Sequence, residues 1–264
     1  MARKKKQSNW YYFIRFFAIT TLLLFAFAIY KVIQSRWPNS KNWDSNSKVI
    51  FQEFGVPMPL HYDIHGIDIS KYQRTIDWNL VTTMEVEGIK MGFVFIKATE
   101  GTELTDRNFD RNWKEAKASG IVRGAYHFFL ATENGIKQAR FFLDKVHFEK
   151  GDLPPVIDIE HLYRVHPQKM RERLQACLDL LEQETGVLPI IYTSVGFYKS
   201  YLGDTFDKYP LWIAHYQQLE RPGIHRDWSF WQHNESGNIS GIVSKVDLNV
   251  FSGDSSSFKK MMIP

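Results

Sequence analysis

The chain has 264 residues, of which 44% are hydrophobic and 15% aromatic, with a formal net charge of +4. This composition is sufficient for one large folded domain and excludes a largely disordered protein. The positive charge is concentrated at the start of the chain. Seven basic residues lie between Arg3 and Arg36, and the first acidic residue is Asp44. In the remainder acidic residues outnumber basic ones, which excludes a typical nucleic-acid-binding domain.

The first predicted element is a membrane anchor within residues 1–36. A basic start, MARKKK, is followed by WYYFIRFFAITTLLLFAFAIYKVI, an apolar stretch of about two dozen residues interrupted by Arg15, near the roughly 20 residues that span a bilayer. The basic flank predicts a cytoplasmic N-terminus. We therefore expect a single-pass protein of the cell (inner) membrane with its folded domain on the extracytoplasmic or periplasmic side. The small residues AFA at 26–28 leave a cleaved signal peptide as the alternative, and the domain is then secreted.

Residues 37–60 contain Pro, Ser and Asn in a pattern typical of a linker or stalk, and the folded domain is expected at 61–264. The only cysteine, Cys177, excludes an intramolecular disulfide. It lies in the helical pattern RLQACLDLLEQETG, where we expect a buried, inert thiol.

Short apolar segments rich in β-branched residues recur along the folded domain and predict eight strands. The first four connections are long enough for the helix of a βα unit of about 30 residues, and the last three are shorter. The connections DRNFDRNWKEAKASG and HPQKMRERLQACLDLLEQETG have helical periodicity and glycine stops. This alternation predicts an α/β fold with a parallel sheet, closed into a modified (β/α) barrel of eight strands with helices lost between the last strands. The predicted strands are IHGIDIS, GFVFIKATEG, VRGAYHFF, PPVIDIE, LPIIYTS, PLWIAHY, WSFWQH and KVDLNVF.

Two carboxylates end the fourth predicted strand, although ionised carboxylates are costly to bury unless they are paired or used in chemistry. Asp158 and Glu160 are two residues apart, so on a strand both side chains face the active-site end of the barrel. Asp68 ends the first strand and Asp247 lies on the last, and these strands become neighbours when the barrel closes. Four carboxylates are thus predicted to converge. Crowding separates their pKa values into a proton donor and anions, as glycosidic bond cleavage requires.

Two other uses of these carboxylates compete with catalysis. The first is an ion pair of Asp158 or Glu160 with Lys97 or Arg123, which would make the acids structural. The second is a metal site, which the scattered histidines and the lack of HxH or HExxH spacing disfavour. We expect neither a metal nor a cofactor.

Aromatic residues at or near strand ends are candidates for stacking on sugar rings, with barrel or helix packing as the alternative. His127 follows Tyr126 and, by strand alternation, should point away from the lumen. A ligand or catalytic role for His127 is the alternative. The candidates for substrate binding are Tyr126, Tyr192, Trp212, Trp231 and Gln232.

Eight ordered segments resemble glycoside hydrolase family 25 lysozymes over roughly residues 61–251. The resemblance implies a modified barrel and N-acetylmuramidase activity on the β-1,4 bond between N-acetylmuramic acid and N-acetylglucosamine. It implies Glu160 as general acid and Asp158 as the group that assists through the substrate's N-acetyl group, with Asp68 and Asp247 lining the cleft. The expected partners are peptidoglycan glycan strands and, through the N-terminal helix, the membrane; we expect a monomer. The segments are GIDISKYQRTIDW, FVFIKATEG, DRNFDRNWKEAKASGIVRGAYHFF, PPVIDIE, IIYT, LWIAHY, FWQH and VDLNVF.

Several alternatives remain at this point. N-acetyl participation is favoured over direct attack by water, and Glu160 then also acts as base. A non-catalytic glycan-binding barrel or scaffold is the competing function. A chitinase-type enzyme is disfavoured because LPPVI, not a DxxDxDxE string, precedes Asp158. No C-terminal wall-binding repeat is expected, and the anchor would instead raise the concentration of the barrel at the wall.

Overall fold

The computed structural model describes residues 50–218 and 220–264. The predicted membrane anchor and signal-peptide alternative, at residues 1–36, lie outside the described residues. Among the helices of the described part, none combines the length and apolar character needed to cross a bilayer.

The described chain alternates strands with helices up to residue 194 and then continues as strands joined by short turns. After residue 197 it forms a π-helical turn at Tyr198–Leu202 and a 3-10 turn at Gly203–Phe206. The strands are β1 (Ile50–Phe51), β2 (Val56–Pro57), β3 (Ile64–Ile69), β4 (Met91–Glu100), β5 (Leu104–Thr105), β6 (Val122–Phe128), β7 (Val156–Asp158), β8 (Ile190–Ser194), β9 (Leu211–Ala214), β10 (Phe230–Gly237) and β11 (Val246–Phe251). The helices are α1 (Trp78–Thr83), α2 (Phe109–Ser119), α3 (Gly135–Lys145), α4 (Pro167–Thr185), α5 (Val195–Phe197) and α6 (Ser255–Met261).

Eight strands close into a barrel in the order β3, β4, β6, β7, β8, β9, β10 and β11, and β11 pairs back with β3. The predicted eight-stranded closed barrel is confirmed. Seven strands are parallel to their neighbours within that set, but β11 is antiparallel to both β10 and β3. The prediction of a wholly parallel sheet is therefore wrong for β11. The chain from Gly237 to Val246 is too short for a crossover, so the last strand can only return antiparallel.

Helices occupy the first four connections of the barrel and are reduced to short turns afterwards, as the spacing predicted. The two predicted helices appear as α2 and α4. His166 caps α4, Pro167 occupies its first turn, and Gly186 ends it in the left-handed conformation at φ 72°. These local signals place α4 directly between β7 and β8, where it covers the outer face of the barrel.

Strand alternation divides the core into two layers. Inside the lumen, Phe95 stacks on Trp212 with ring centroids 4.4 Å apart, and Phe93 packs on Phe230 at 5.2 Å. The lumen is therefore filled below its mouth, which leaves binding to the carboxyl ends of the parallel strands. The outer layer packs against the helices and contains Cys177, whose thiol pKa burial raises. The predicted buried cysteine is confirmed.

The folded unit begins before the boundary predicted at residue 61. β1 and β2 form a hairpin whose Phe54 is fully buried in the outer core layer. The carbonyl oxygen of Phe54 accepts a hydrogen bond from the backbone nitrogen of Asn238 at 2.9 Å. Residues 50–60 thus belong to the barrel domain and not to a linker. The Pro, Ser and Asn content of residues 37–60 favoured a stalk, although Val56 and Met58 are also buried.

Candidate active site

An aspartate pair lies where β3 meets β11. The antiparallel register places Asp68 directly opposite Asp247, and the two carboxyl groups share a hydrogen bond. Asp68 Oδ2 also accepts hydrogen bonds from Gln232 Nε2 and Asn249 Nδ2, both at 2.8 Å. Burial, reinforced by the charge of Asp68, raises the pKa of Asp247 to about 9. Burial also raises the pKa of Asp68, against the lowering effect of the hydrogen bonds from Asn249 and Gln232, so the pair retains a proton at neutral pH.

Both amides are fixed in orientation by donors on their oxygen atoms. Gln232 Oε1 accepts hydrogen bonds from the hydroxyls of Tyr192 and Tyr216, both at 2.7 Å. Asn249 Oδ1 accepts one from Trp212 Nε1 at 2.8 Å. Because each amide oxygen is occupied by donors, each amide nitrogen must face the β3 carboxylate. This network holds that carboxylate in one position.

The second pair of carboxylates stands at the end of β7. Asp158 is buried on the lumen side, and its Oδ1 accepts no hydrogen bond from the described residues. Burial, followed by the charge of Glu160, raises the pKa of Asp158 well above its usual value. Glu160 is half-buried two residues beyond the strand, and burial raises its pKa against the opposing charges of His161 and Lys97. A half-buried carboxyl with a raised pKa beside a buried one is an arrangement suited to proton donation.

The predicted structural ion pairs with these carboxylates do not form. Lys97 Nζ lies 2.6 Å from Glu100 Oε2. Arg123 Nε lies 2.7 Å from Asp152 Oδ1 on the outer face of the barrel. Among the described residues neither cation pairs with a carboxylate of the DIE segment, so that alternative is wrong.

Three of the predicted aromatic residues face the lumen. Burial, followed by the charges of Asp68 and Asp158, raises the pKa of the Tyr126 hydroxyl well above its usual value. Tyr192 and Trp212 are buried, and their polar atoms are used in the amide network. Tyr126 is half-buried, so it is the aromatic candidate best placed to contact a ligand, and the other two hold the amide network in place.

Trp231 does not join the site, although it was predicted to bind substrate. Its indole is fully buried on the outer face of the barrel against Tyr62 and Trp228. Its Nε1 donates to the carbonyl oxygen of His215 at 2.9 Å. Alternation along β10 turns Gln232 toward the lumen and Trp231 away from it, so no sugar can reach this indole.

His127 points outward from the barrel, as alternation predicted. Its Nδ1 lies 2.8 Å from Thr99 Oγ1, and its Nε2 lies 3.2 Å from Gln138 Oε1. Burial lowers the pKa of His127 to about 4. It is a neutral packing residue between β6 and α3, which excludes the ligand or catalytic alternative.

Three residues of the site were missed in the sequence. Tyr216 and Asn249 each stand two positions beyond a lumen-facing residue, so continued alternation was the available signal. Tyr163 follows Glu160 on the rim and is 46% exposed. Its φ of 49° and that of Arg164, 65°, place two consecutive residues in the sparsely populated left-handed region.

Within residues 50–218 and 220–264, no group of three or more His, Cys, Asp or Glu side chains is arranged to hold a metal ion. The expectation that the protein needs neither a metal nor a cofactor stays a prediction.

Comparisons with known proteins agree with this geometry. Residues 67–242 match the model of Glycosyl hydrolases family 25. The Escherichia coli (strain K12) protein YegX is 43% identical over 202 residues, which cover 76% of this chain and 74% of that protein. Lysozyme M1 of Streptomyces globisporus is 32% identical over 205 residues, covering 72% of this chain and 68% of that protein. A family 25 glycosyl hydrolase from Bacillus anthracis superposes with a TM-score of 0.69 at 33% identity, covering 75% of this chain and 93% of that structure. This chain therefore belongs to glycosyl hydrolase family 25 and is a glycoside hydrolase.

Proposed function

We propose that this enzyme is a muramidase that hydrolyses the β-1,4 bond between N-acetylmuramic acid and N-acetylglucosamine in peptidoglycan. The observation that carries the proposal is the pairing of a half-buried Glu160 with a buried Asp158 whose Oδ1 has no partner among the described residues. The similarity to Lysozyme M1 supports the class of substrate.

Glu160 is proposed as the general acid. Its pKa is raised by burial, so it keeps its proton to a higher pH than an ordinary glutamate. Its partial exposure leaves the carboxyl accessible to a glycosidic oxygen at the mouth of the barrel. As the bond from that oxygen to C1 breaks, the oxygen takes the proton and leaves with the bonding electrons.

Asp158 is proposed to accept a hydrogen bond from the N–H of the substrate's N-acetyl group through its free Oδ1. This contact would orient the acetyl carbonyl oxygen toward C1, where it forms a bond as the leaving group departs. The Asp158 carboxylate stabilises the resulting cationic ring. Water then attacks C1, the ring opens, and Glu160 accepts the proton of the water.

The aspartate pair at the junction of β3 and β11 is proposed to supply a fixed negative charge. Asp68 is held by two amide donors and shares the proton of Asp247. A charge held in this way stabilises positive charge that develops at C1 without having to reorganise. The Tyr126 hydroxyl, close to the same acids, is proposed to donate to a polar group of the substrate.

The test is the identity of the new chain ends. Purified full-length protein is incubated with peptidoglycan, and the products are reduced with borohydride and analysed by mass spectrometry. We expect reduced muramic acid ends, lost in Glu160→Gln while glycan binding persists. The matched control is Glu184→Gln, an exposed residue of α4, which should remain active.

Other outcomes of that digestion would contradict specific parts of the proposal. Reduced glucosamine ends would show that the wrong bond had been assigned. Full activity of Glu160→Gln would exclude Glu160 as the acid. Binding without new ends would favour the alternative of a non-catalytic glycan-binding barrel.

The anomer of the first product separates the two mechanisms. When the N-acetyl group participates, two displacements follow each other at C1. Each inverts the configuration of C1, so the β configuration is retained overall. Direct attack by a single water inverts it. Proton NMR of a soluble glycan oligomer, recorded before mutarotation, should therefore show the β anomer first.

We also propose that residues 1–36 anchor the enzyme in the membrane with the barrel on the extracytoplasmic side. The basic start and the apolar stretch after it support this orientation. An anchored enzyme should remain with membranes after an alkaline wash. A cleaved signal peptide would instead leave a soluble product whose N-terminal sequence begins after residue 28.

A further inference from the structure

A small hollow of about 240 Å³ opens on the rim of the barrel, near the carboxyl ends of β3 and β4. It lies where the turn after β3 meets β5, and β5 pairs with the carboxyl end of β4. Two of its lining residues expose apolar surface, since Tyr72 is 72% exposed and Leu104 is 42% exposed. The hollow is lined by Lys71, Tyr72, Leu104, Thr105 and Arg107.

The charge of this hollow is positive. Lys71 and Arg107 line it, and Arg74 follows on the same turn. In the described part of the chain none of these three cations forms an ion pair with a carboxylate. Glu103 is the exposed acidic residue of the adjoining turn. Lys71 Nζ lies 5.4 Å from the centroid of the Tyr72 ring. Cations without a carboxylate partner at the edge of a cleft are complementary to an anionic ligand.

The backbone around the hollow is held in place. Lys71 N donates to Asp106 Oδ2 at 2.7 Å, and Asn108 N donates to Asp106 Oδ1 at 2.9 Å. Asn108 Nδ2 in turn donates to the carbonyl oxygen of Lys71 at 3.2 Å. The segments that carry Lys71 and Arg107 are thus joined by one buried aspartate. Lys71 follows Asp68 by three residues, just beyond the carboxyl end of β3, so the hollow lies at the same end of the barrel as the carboxylates.

We propose that this hollow binds a carboxylate of the peptide stem that muramic acid carries in peptidoglycan. The inference rests on the proposed muramidase function. Lysine and arginine form charge-assisted hydrogen bonds with carboxylates, and the apolar faces of Tyr72 and Leu104 suit the methyl groups of alanine. The volume is below the roughly 300 Å³ at which pockets for whole small molecules begin, so it fits part of a short peptide.

The test compares two forms of one wall preparation, stripped of other anionic polymers. One form keeps its peptide stems, and the other has lost them to an N-acetylmuramoyl-L-alanine amidase. For the full-length double variant Lys71→Ala/Arg107→Ala we expect kcat/KM on the stem-bearing form to fall about five- to tenfold, mainly through KM. Activity on the stem-free form should equal that of the wild type. Arg107→Lys should recover part of the loss, and Arg140→Ala, an exposed cation of α3, should change neither activity.

Three results would overturn the inference. One is an equal loss on both forms, since that would indicate a structural role or contact with the glycan. Another is no loss on either form. A defect seen only on walls that retain anionic polymers would also overturn it, because the hollow would then serve that polymer. Failure of the muramidase proposal is distinguishable, because the wild type would then release no muramic acid ends from either form.

Discussion

The mouth of the barrel and the layer outside its strands both bury titratable side chains, with opposite consequences. At the mouth, burial raises the pKa of Asp68, Asp158, Glu160 and Asp247. In the outer layer, burial lowers the pKa of His65 and His127 to about 4 and that of His233 to about 3. In every case burial is the largest cause, because it disfavours the charged form.

Access to substrate is what separates the two regions. Glu160 faces an open rim, where its raised pKa leaves a proton available for transfer. His65 is instead enclosed, with Nε2 2.9 Å from the carbonyl oxygen of Tyr62, and its Nδ1 has no partner among the described residues. The same desolvation therefore supports chemistry in one place and makes stability sensitive to acid in the other.

The largest expected effect concerns the acids at the mouth of the barrel. Asp158→Asn removes the buried carboxyl group but keeps its shape, so kcat on peptidoglycan should fall about 10²- to 10³-fold. The folded protein should be as stable as the wild type or more stable, because a desolvated carboxyl group near Glu160 is removed. Urea unfolding at pH 7 checks stability. A strongly destabilised variant would mean that Asp158 serves the fold.

Asp247→Asn should flatten the dependence of stability on pH between 3.8 and about 9. The folded-state pKa is raised from 3.8 to about 9, so the folded chain holds a proton that the unfolded chain releases. Stability from this group is complete below pH 3.8 and is lost as pH rises through about 9. Between these limits the wild type should lose about 3 kcal/mol more than the variant. Parallel curves of unfolding free energy against pH would contradict the shared proton.

His233→Leu should remove a pH dependence of stability that has the opposite sign. The folded-state pKa is lowered from 6.5 to about 3, so stability from the neutral ring is present above pH 6.5 and lost as pH falls toward 3. The wild type should lose about 3 kcal/mol more than the variant over that window. The exposed His147→Gln serves as control. An identical loss in His233→Leu would show that this ring is not kept neutral by burial.

The smallest effect concerns the rim. Tyr163→Ala should raise KM for glycan about three- to tenfold through lost stacking and leave kcat nearly unchanged, whereas Tyr163→Phe should retain wild-type kinetics. Because Tyr163 is 46% exposed, neither change should alter the unfolding free energy by more than about 0.5 kcal/mol. A loss confined to kcat would place this ring among groups acting on the transition state.

Local pattern predicted much of the site, because a strand end and a side-chain face are properties of neighbouring residues. Asp68, Asp158 and Glu160 were identifiable as strand-terminal acids, and His127 was correctly expected outside the lumen. The prediction that Trp231 binds substrate was wrong because it rested only on the nearness of this residue to a strand end. The register of β10 turns Gln232 toward the lumen and Trp231 away from it. The hairpin around Phe54 was missed because its burial depends on contact with Asn238, far along the chain.

By itself the sequence determined eight strands, four crossover helices, an outward-facing histidine and the acids at the strand ends, since hydrophobic periodicity and glycine stops act over a few residues. Only the tertiary structure decided that β11 runs antiparallel and so sets Asp247 opposite Asp68. It also decided which amides hold Asp68 and which carboxyls are buried enough to keep a proton. These properties depend on desolvation and hydrogen bonds between residues more than 150 positions apart, which no local pattern encodes.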